Sequence, residues 1–525
     1  MQTVLSFIGF TAFVAAYSWY KLRNEKLSTQ DGYFLGGRSL TAWVIAGSML
    51  LTNISTEHLI GMNGSSYENG FIIIAWEVTS ALALVVAAVY FLPTYLRRGL
   101  TTIPQYLEER FDATTRTMVA LFLLISFVLT LLPIVLYTGA INLESIFNIS
   151  EVFKISQSRA LWLTVICIGA LGSAYAIFGG LKAVAYSDTI NGVGLFIGGL
   201  LVPILALWEI GSGNLMEGLR KVYENSPEKF NVIGAKDSVL PFGTLFTGLV
   251  INQLYFWGMN QTIIQRALGA KSLVEAQKGL LLTGLFKIFI PLIIILPGVI
   301  GLYYFGDSLY DKQDLIYPEL IKKVLPLSLV GFFAAVVMGA VLSTFNSVLN
   351  STATIFSLGI FKRLIKKDAT DQELVKSGKV VSIILAIMAI ATAPLVADAP
   401  DGLYQLLQQL NGIFFIPIAS IMLAGLFLPK ISATAAKASL LTGLAFYILT
   451  MFIFPVDIHF VHIWGIEFLL NLAVMFVVSY WYPNENPYKA TDTGKLSLTE
   501  WKYTKPFSLM LVIITIAIYI WLGQA

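Results

Sequence analysis

Four charged side chains stand inside apolar stretches of the sequence, where charge is usually kept for binding or transport. They are Glu57, Glu77, Asp188 and Lys287. A charge in such a place within a membrane is costly and usually belongs to an ion pair, an ion path or a substrate site. Lys287 has no other charged residue within eight positions on either side, so it needs a partner from another segment. We expect that partner to be Glu77, with Ser80 on the same helix face.

The first of these charges belongs to LTNISTEHLIGM, residues 51–62, in which six polar residues interrupt two apolar runs. In lipid every backbone N–H and C=O needs a partner, so this interruption predicts a broken helix that lines a cavity or binds a ligand. Unwound carbonyls and the adjacent hydroxyls of Ser343 and Thr344 would give Na⁺ an all-oxygen environment, as in other broken transporter helices. Glu57 and His58 are also a candidate acid–base pair. Neighbouring helical positions face different directions, which argues against catalysis there.

Amide and aromatic side chains could contact a solute covered in hydroxyl groups. Amides both donate and accept hydrogen bonds, and three at spacing i, i+3, i+4 predict one amide-rich helix face: Gln405, Gln408 and Gln409. Trp76 precedes Glu77, and the aromatic run 255–257 follows Gln253 closely. Rings beside amides suit the C–H faces and hydroxyls of a sugar, although aromatic residues in membrane helices also serve in packing.

The composition indicates which kind of secondary structure positions these side chains. The chain is 57% hydrophobic and 12% charged, and apolar runs long enough to cross a bilayer recur from end to end. We therefore predict an all-α polytopic membrane protein. The net charge of +3 gives no case for nucleic-acid binding, and one cysteine excludes a disulfide within the chain. There is no Walker A, HExxH or GxSxG motif, so we expect a protein that is not an enzyme.

Fourteen membrane spans are predicted from the apolar runs. They are 3–20, 41–62, 72–96, 118–144, 160–178, 184–210, 241–258, 277–304, 325–358, 378–397, 402–428, 434–454, 459–482 and 507–523. The first run lacks the basic start and cleavage site of a signal peptide, so we expect it to be retained. An even number of spans places both termini on one side of the membrane.

The basic residues follow this alternation. Loops after odd-numbered spans hold 24 of the 34 Lys and Arg residues, loops after even-numbered spans hold 9, and Lys287 lies within a span. Because cytoplasmic loops carry the excess of Lys and Arg, we expect both termini to lie outside the cell. The predicted location is the plasma membrane, the inner membrane in a bacterium.

Two spans are interrupted by polar residues, and they lie five spans apart. The second span breaks at TNIST, and the seventh reads FTGLVINQLYFWGMNQTIIQ. This spacing is typical of an inverted repeat whose halves each begin with a discontinuous helix, with the substrate site between them. The predicted units are an N-terminal helix and loop (1–40), a first five-helix repeat (41–210), an external loop (211–240), a second inverted repeat (241–428) and three accessory helices (429–525).

The chain resembles the sodium/solute symporter family, in particular its sodium–sugar branch. The similar stretches are DGYFLGGRSL, NISTEHLIGMNGSSYENG, YFLPTYLRRGLTTIPQYLEERF, YAIFGGLKAVAYSD, NQTIIQRALGAKSLVEAQKG and LNSTATIF. They spread over about 31–430, the whole predicted core. The resemblance implies the LeuT-type five-plus-five fold, with Na⁺ as the coupled ion and a galactose- or glucose-like monosaccharide as the imported solute.

The resemblance also implies roles for individual residues. Sodium would be held by the backbone carbonyls of Leu51, Ile54 and Ala340 with the hydroxyls of Ser343 and Thr344. The sugar would be held by His58, Trp76, Glu77, Ser80, Gln253, Trp257, Lys287 and Gln408. Tyr404 would belong to the outer gate and Phe256 to the inner gate, and Asp188 would lie near the ion path.

Four positions depart from the bacterial sugar-transporter pattern and leave the solute open. His58 stands in place of glutamine, Gln253 of asparagine, Trp76 of tyrosine, and Phe256 of the tyrosine of the inner gate. The alternatives are the same fold carrying an inositol, an acidic sugar or a carboxylate, or a transporter-like sensor or channel. The sequence leaves the oligomeric state and the role of Glu57 open.

Overall fold

The computed structural model describes residues 1–23, 27–398, 403–484, 494 and 498–524. The described residues form helices without a strand, and one isolated bridge joins Leu40 to Ala270. Three of the basic residues counted in the loops, Lys26, Lys489 and Lys495, lie outside the described residues, as does the first residue of the predicted span 402–428.

The helices of the first part of the chain are α1 (Gln2–Leu22), α2 (Gln30–Leu35), α3 (Ala42–Asn53), α4 (Asn63–Asn69), α5 (Ala75–Val78), α6 (Ser80–Val86), α7 (Leu92–Arg97), α8 (Ile103–Arg110), α9 (Ala113–Ser126), α10 (Leu132–Phe147), α11 (Ile149–Phe153) and α12 (Gln157–Ile210). Those of the second part are α13 (Leu215–Asn225), α14 (Gly248–Gly258), α15 (Gln261–Leu268), α16 (Leu273–Phe289), α17 (Pro291–Ile294), α18 (Leu296–Phe305), α19 (Ile316–Val324), α20 (Leu327–Ile355), α21 (Asp371–Thr392), α22 (Leu403–Phe427), α23 (Ala433–Ile448), α24 (Phe460–Trp481) and α25 (Thr504–Leu522). Wider or tighter helical turns lie at Gly36–Arg38, Glu57–Met62, Gly70–Ile74, Ala87–Phe91, Phe127–Leu131, Pro227–Phe230, Phe242–Phe246, Tyr310–Leu315, Phe356–Ile365, Ala393–Asp398 and Leu449–Ile453.

The expected count of fourteen spans is not reproduced as fourteen uninterrupted helices. Among the described residues, eleven helices are long and apolar enough to cross a membrane, or twelve if the bent pair Leu273–Phe289 and Pro291–Phe305 is one span. The two predicted spans that are missing from this count are the second and the seventh. Both are assembled from short pieces: α3 has 12 residues, α14 has 11 and α15 has 8. The polar interruptions therefore break the helices, as the sequence predicts, and so reduce the number of continuous spans.

Glycine marks two places where a continuous helical run is divided. Gly180, with φ +58°, divides α12 into the parts that correspond to the predicted fifth and sixth spans. Gly70, with φ +72°, separates α4 from the helical turns that lead into α5. Such a φ strains any residue with a Cβ, so glycine is the residue expected at both bends.

Loops that follow odd-numbered predicted spans contact one another. Arg38 donates to the carbonyls of Gly99 and Leu268 (3.1 and 3.3 Å), and Lys437 donates to Asp112 (2.6 Å). Loops that follow even-numbered spans also meet: Lys229 bonds to the Glu68 carbonyl, and His459 to the Val239 carbonyl at 3.0 Å. Each of these contacts joins two loops that the predicted alternation places on the same side of the membrane.

The core positions the two broken segments against continuous helices. Helix α12 packs against α20, and α3 packs against both α12 and α16. Buried apolar side chains from these helices enclose the break after α3, where Leu51 and Ile54 are fully buried. The interruption therefore lies inside protein rather than against lipid, which is where irregular backbone is tolerated in a membrane.

Candidate functional site

The break in the second span leaves two backbone carbonyls without helical partners. Ile54, just after α3, has φ −86° and ψ +88°, outside the helical region. The Ser55 N–H turns back to the Asn53 carbonyl (3.1 Å), and the His58 N–H donates to the Ser55 carbonyl (3.1 Å). In the described part of the chain, no backbone N–H donates to the carbonyls of Leu51 or Ile54. Two oxygens are thus left free to bind something else.

Helix α20 is tied to this break through hydroxyl groups. Thr344 Oγ1 donates to the Thr52 carbonyl (2.9 Å), and Thr52 Oγ1 lies 3.0 Å from Ser347 Oγ. Ser343 Oγ is buried, and Ala340, one turn earlier, is fully buried. The five residues that the resemblance assigns to sodium thus lie on the broken segment and on a helix bonded to it.

A central cavity with a volume of about 60 Å³ opens beside the break. Nine residues predicted for solute binding or gating line its wall: His58, Trp76, Glu77, Ser80, Gln253, Phe256, Trp257, Tyr404 and Gln408. Thr344 also lines the cavity. The remaining predicted solute residue, Lys287, lies behind the wall and is fully buried.

Lys287 is paired with the predicted partner and with a second acceptor. Its ammonium group contacts the Glu77 carboxylate and donates to Asn53 Oδ1 at 2.6 Å. It also lies 5.3 Å from the centre of the Trp257 ring, within the range of a cation–π contact. The bond to Asn53 joins Lys287 on α16 to the broken segment.

Gln253 holds three neighbouring site residues in place. Its Nε2 donates to the Trp76 carbonyl (2.7 Å), while its Oε1 accepts from Ser80 Oγ (3.1 Å) and from Trp257 Nε1 (3.1 Å). A single amide therefore fixes the wall where α14 meets α5 and α6.

The expectation that Glu57 and His58 face different directions is wrong. Both line the cavity, with Glu57 Oε1 3.6 Å from His58 Nδ1, because the segment from Glu57 is a wide π-helical turn rather than a regular α-helix. His58 Nε2 lies 3.3 Å from Asn53 Nδ2, and the His58 ring packs edge-on to Tyr404 (5.3 Å between centres). Glu57 Oε2 makes no hydrogen bond with the described residues.

Only one of the three amides predicted to share a face of α22 lines the cavity. Gln408 lines the cavity and donates to the Tyr404 hydroxyl (2.8 Å), whereas Gln405 and Gln409 do not line it. The stripe that does is spaced i, i+4, i+7, i+11: Tyr404, Gln408, Asn411 and Phe415. That helical spacing was the available signal for Asn411 and Phe415, which the sequence reasoning missed. Further polar lining residues are Thr52, Asn53, Asn252, Asn260 and Thr262.

Asp188 lies in a buried polar network on the other side of α3. It accepts a hydrogen bond from Ser48 Oγ (2.6 Å) and lies 4.0 Å from the guanidinium group of Arg266. Arg266 also contacts Ser347, which is bonded to Thr52. The predicted spans place Arg266 in a loop, but its side chain is fully buried. A chain of polar contacts therefore runs from Asp188 to the break.

The sodium:solute symporter family matches residues 33–443 of the chain. The chain belongs to this family. It is therefore a sodium-coupled symporter and not an enzyme, and the coupling ion is sodium, as the resemblance implies.

Relatives of this symporter match it over almost its full length. An uncharacterized symporter of Escherichia coli (strain K12), YidK, is 44% identical over 99% of the chain and 91% of its own length. A sodium/glucose cotransporter of Vibrio parahaemolyticus is 30% identical over 99% of the chain and 98% of its own length. Among solved structures, a Na⁺-coupled sialic acid symporter in a substrate-bound outward-open state has a TM-score of 0.77 at 20% identity, covering 93% of the chain and 99% of that structure. The symporter has the LeuT-type fold that the resemblance implies.

Proposed function

We propose that this symporter imports a neutral monosaccharide, of the galactose or glucose type, together with Na⁺ by alternating access. The observation that carries the proposal is the mixed wall of the central cavity. Amides, His58 and two carboxylates offer hydrogen-bonding groups, and the rings of Trp76, Trp257 and Tyr404 offer flat apolar surface. A sugar presents hydroxyls at its edge and C–H groups on its faces, so it matches both kinds of surface. The name of the Vibrio relative supports the same class of solute.

The charges around the cavity support a neutral solute over an acidic one. Among the described residues, no Lys or Arg lines the wall. Lys287, behind the wall, is already compensated by Glu77 and bonded to Asn53. Glu57 adds a second carboxylate whose Oε2 has no hydrogen-bond partner in the described chain. A carboxylated sugar would meet repulsion here, whereas the hydroxyl of a neutral sugar could donate to Glu57.

We assign sodium to the free carbonyls of Leu51 and Ile54, the carbonyl of Ala340 and the hydroxyls of Ser343 and Thr344. Oxygen ligands from an unwound helix and its neighbour are the pattern by which transporters of this architecture bind Na⁺. Bound Na⁺ would hold the break against α20 and so order the part of the solute wall that the broken segment supplies. Release of Na⁺ would loosen this contact and allow the inner side, near Phe256, to open. Asp188 would then be the carboxylate that Na⁺ meets on its path to the cytoplasm.

Alternating access would move the two predicted repeats, 41–210 and 241–428, relative to each other. With the basic side of the bundle on the cytoplasmic face of the plasma membrane, both termini face outward.

One Na⁺ crossing about 100 mV supplies about 2.3 kcal/mol, and a tenfold gradient adds about 1.4 kcal/mol. Together these sustain roughly 500-fold accumulation of solute at tight one-to-one coupling.

Uptake of radiolabelled sugars into proteoliposomes tests the proposal. With an inward Na⁺ gradient and an inside-negative potential, we expect galactose or glucose to accumulate above its outside concentration, and galacturonate not to. Accumulation that is the same with K⁺ in place of Na⁺ would contradict the coupling. Equilibration without accumulation would instead indicate a channel, and preferential uptake of galacturonate would transfer the proposal to acidic sugars.

A further inference from the structure

A second cavity lies at the basic end of the bundle, far along α20 from the solute site. Its volume is about 530 Å³, and its wall is polar. Four cationic side chains line it, Arg116, Lys362, Arg363 and Lys367, and no carboxylate does among the described residues. They come from the start of α9 and from the π-helical turn and loop that follow α20. A concentration of positive charge in a concave surface is the electrostatic footprint of an anion site.

Nearby carboxylates compensate some of this charge. Glu108 accepts from Arg116 Nη1 at 2.5 Å and also contacts Arg363. Glu373 pairs with Lys366, which does not line the cavity, and Asp371 accepts from the backbone N–H of Gln30.

The charges of the two lysines in the cavity wall are not compensated by ion pairs among the described residues. Lys362 and Lys367 are exposed and form no ion pair with the described residues. Asp368 follows Lys367 in sequence but does not line the cavity. The cavity therefore retains a net positive charge.

A buried donor in the cavity wall also lacks a partner. Arg116 is 6% exposed, and its Nη2 donates to the Leu358 carbonyl at 2.7 Å. Its Nε–H makes no hydrogen bond with the described residues. A buried donor left without an acceptor is costly. An arginine beside flexible lysines is the usual combination for binding phosphate oxygens.

We propose that this cavity, lined by Arg116, Lys362, Arg363 and Lys367, binds a phosphate-bearing anion. The phosphate can come from the headgroup of an anionic phospholipid or from a soluble phosphate. Basic pockets between membrane helices on one side of a bilayer are suited to anionic headgroups. Because the cavity joins α8 and α9 to the end of α20, the bound phosphate would crosslink the first half of the molecule to the helix that carries Ser343 and Thr344.

Lipid titration followed by native mass spectrometry tests the site on the intact symporter in detergent. We expect short-chain phosphatidylglycerol to bind at least about tenfold more tightly than phosphatidylcholine, which has no net charge. The variant Lys362→Gln with Lys367→Gln should bind phosphatidylglycerol about 30-fold more weakly, as expected for the loss of two surface charges. The matched control is Lys376→Gln with Lys505→Gln, which removes two exposed lysines outside the cavity and should change binding less than about twofold.

Competition by inorganic phosphate separates the two sources. If millimolar phosphate displaces the lipid from the unmodified protein and not from the double lysine variant, a soluble phosphate shares the site. If it does not displace the lipid, the ligand is the headgroup. Equal phosphatidylglycerol affinity in the two double variants, or equal affinity for the two lipids, would overturn the proposal. Because these readouts measure lipid occupancy rather than sugar uptake, they stand or fall independently of the proposed substrate.

Discussion

Lys287 is held by acceptors from two different segments, and this makes its removal a sharp test of the pair. We predict that Lys287→Met lowers the free energy of unfolding by about 3–5 kcal/mol, because it leaves the Glu77 carboxylate buried and unpaired. Combining it with Glu77→Gln should restore much of that loss, since no buried charge then lacks a partner. Chemical unfolding in detergent, followed by tryptophan fluorescence, measures both variants. If the double variant is less stable than Lys287→Met alone, the pairing is not what stabilises this region.

We propose Ser343 for the ion site and His58 for the solute site, so their variants should affect different ligands. We predict that Ser343→Ala with Thr344→Ala raises the Na⁺ concentration needed for half-maximal uptake at least about tenfold, because two oxygen ligands are lost. His58→Ala should instead raise the solute KM more than the Na⁺ requirement, because its ring lines the cavity. Uptake measured over a matrix of Na⁺ and sugar concentrations separates the two. An unchanged Na⁺ requirement in the hydroxyl variant would remove the sodium assignment, and the converse pattern for His58 would move it out of the solute site.

Residue type and the family resemblance together named most of the cavity wall, but not the contacts that depend on the path of the broken backbone. Glu77 faces Lys287 as expected, since an isolated buried lysine needs a carboxylate. Asn53 as the second acceptor of Lys287, and the approach of Glu57 to His58, follow from unwinding and a π-helical turn. Neither contact follows from regular helical geometry, because unwinding and a π-helical turn each change the angle between successive side chains.

At the scale of elements, the second half of the broken span is located by close packing against α18. A Cβ built on Gly298 would lie 2.0 Å from Ser66 Oγ and 2.4 Å from the Asn63 carbonyl oxygen, both on α4. Ser66 Oγ also donates to the Ile295 carbonyl at 2.9 Å. Backbone is thus packed against backbone, as is typical of small residues between membrane helices.

We predict that Gly298→Ala destabilises the symporter by about 1–3 kcal/mol, because α4 and α18 must separate to admit the methyl group. It should also weaken solute binding, since α4 continues directly from the turn that carries Glu57 and His58. The matched control is Gly9→Ala in α1, where a Cβ would meet nothing within 4 Å. Thermal unfolding and sugar titration measure both variants. Equal behaviour of the two would show that α4 can shift without cost.

The order of the long helices could be read from hydropathy, while the number of uninterrupted spans could not. Apolar length predicted each of the long helices, and polar interruptions predicted the two breaks. The division of α12 at Gly180 falls between the predicted fifth and sixth spans. The bend of the eighth span between Phe289 and Pro291 left a weaker signal, a proline within an apolar run. In such runs hydropathy is uniform, so it does not report where the axis turns.

At the scale of the whole molecule, coupling means that Na⁺ and solute must stabilise the same arrangement of the two halves. The Thr344–Thr52 bond and the Asn53–Lys287 bond attach both α20 and α16 to the broken segment between them. An ion that binds at the first contact therefore orders groups that belong to the second. Since linkage is reciprocal, a solute that binds at the second contact must raise affinity for Na⁺ by the same factor.

We predict that this coupling appears as unequal stabilisation by one ligand in the presence and absence of the other. A ligand at about 100 times its dissociation constant stabilises the folded state by about 2.7 kcal/mol. At a fixed galactose or glucose concentration, the rise in the unfolding midpoint should be larger in Na⁺ than in K⁺ at the same ionic strength. Ser343→Ala with Thr344→Ala should reduce this difference while leaving a residual sugar effect, whereas Gly9→Ala should preserve it. Equal sugar-induced shifts in the two salts would mean that the ion and the solute bind without coupling, because only differential affinity can shift the balance between two conformations. The difference between the two salts thus measures the link through Thr52 and Asn53 without requiring transport.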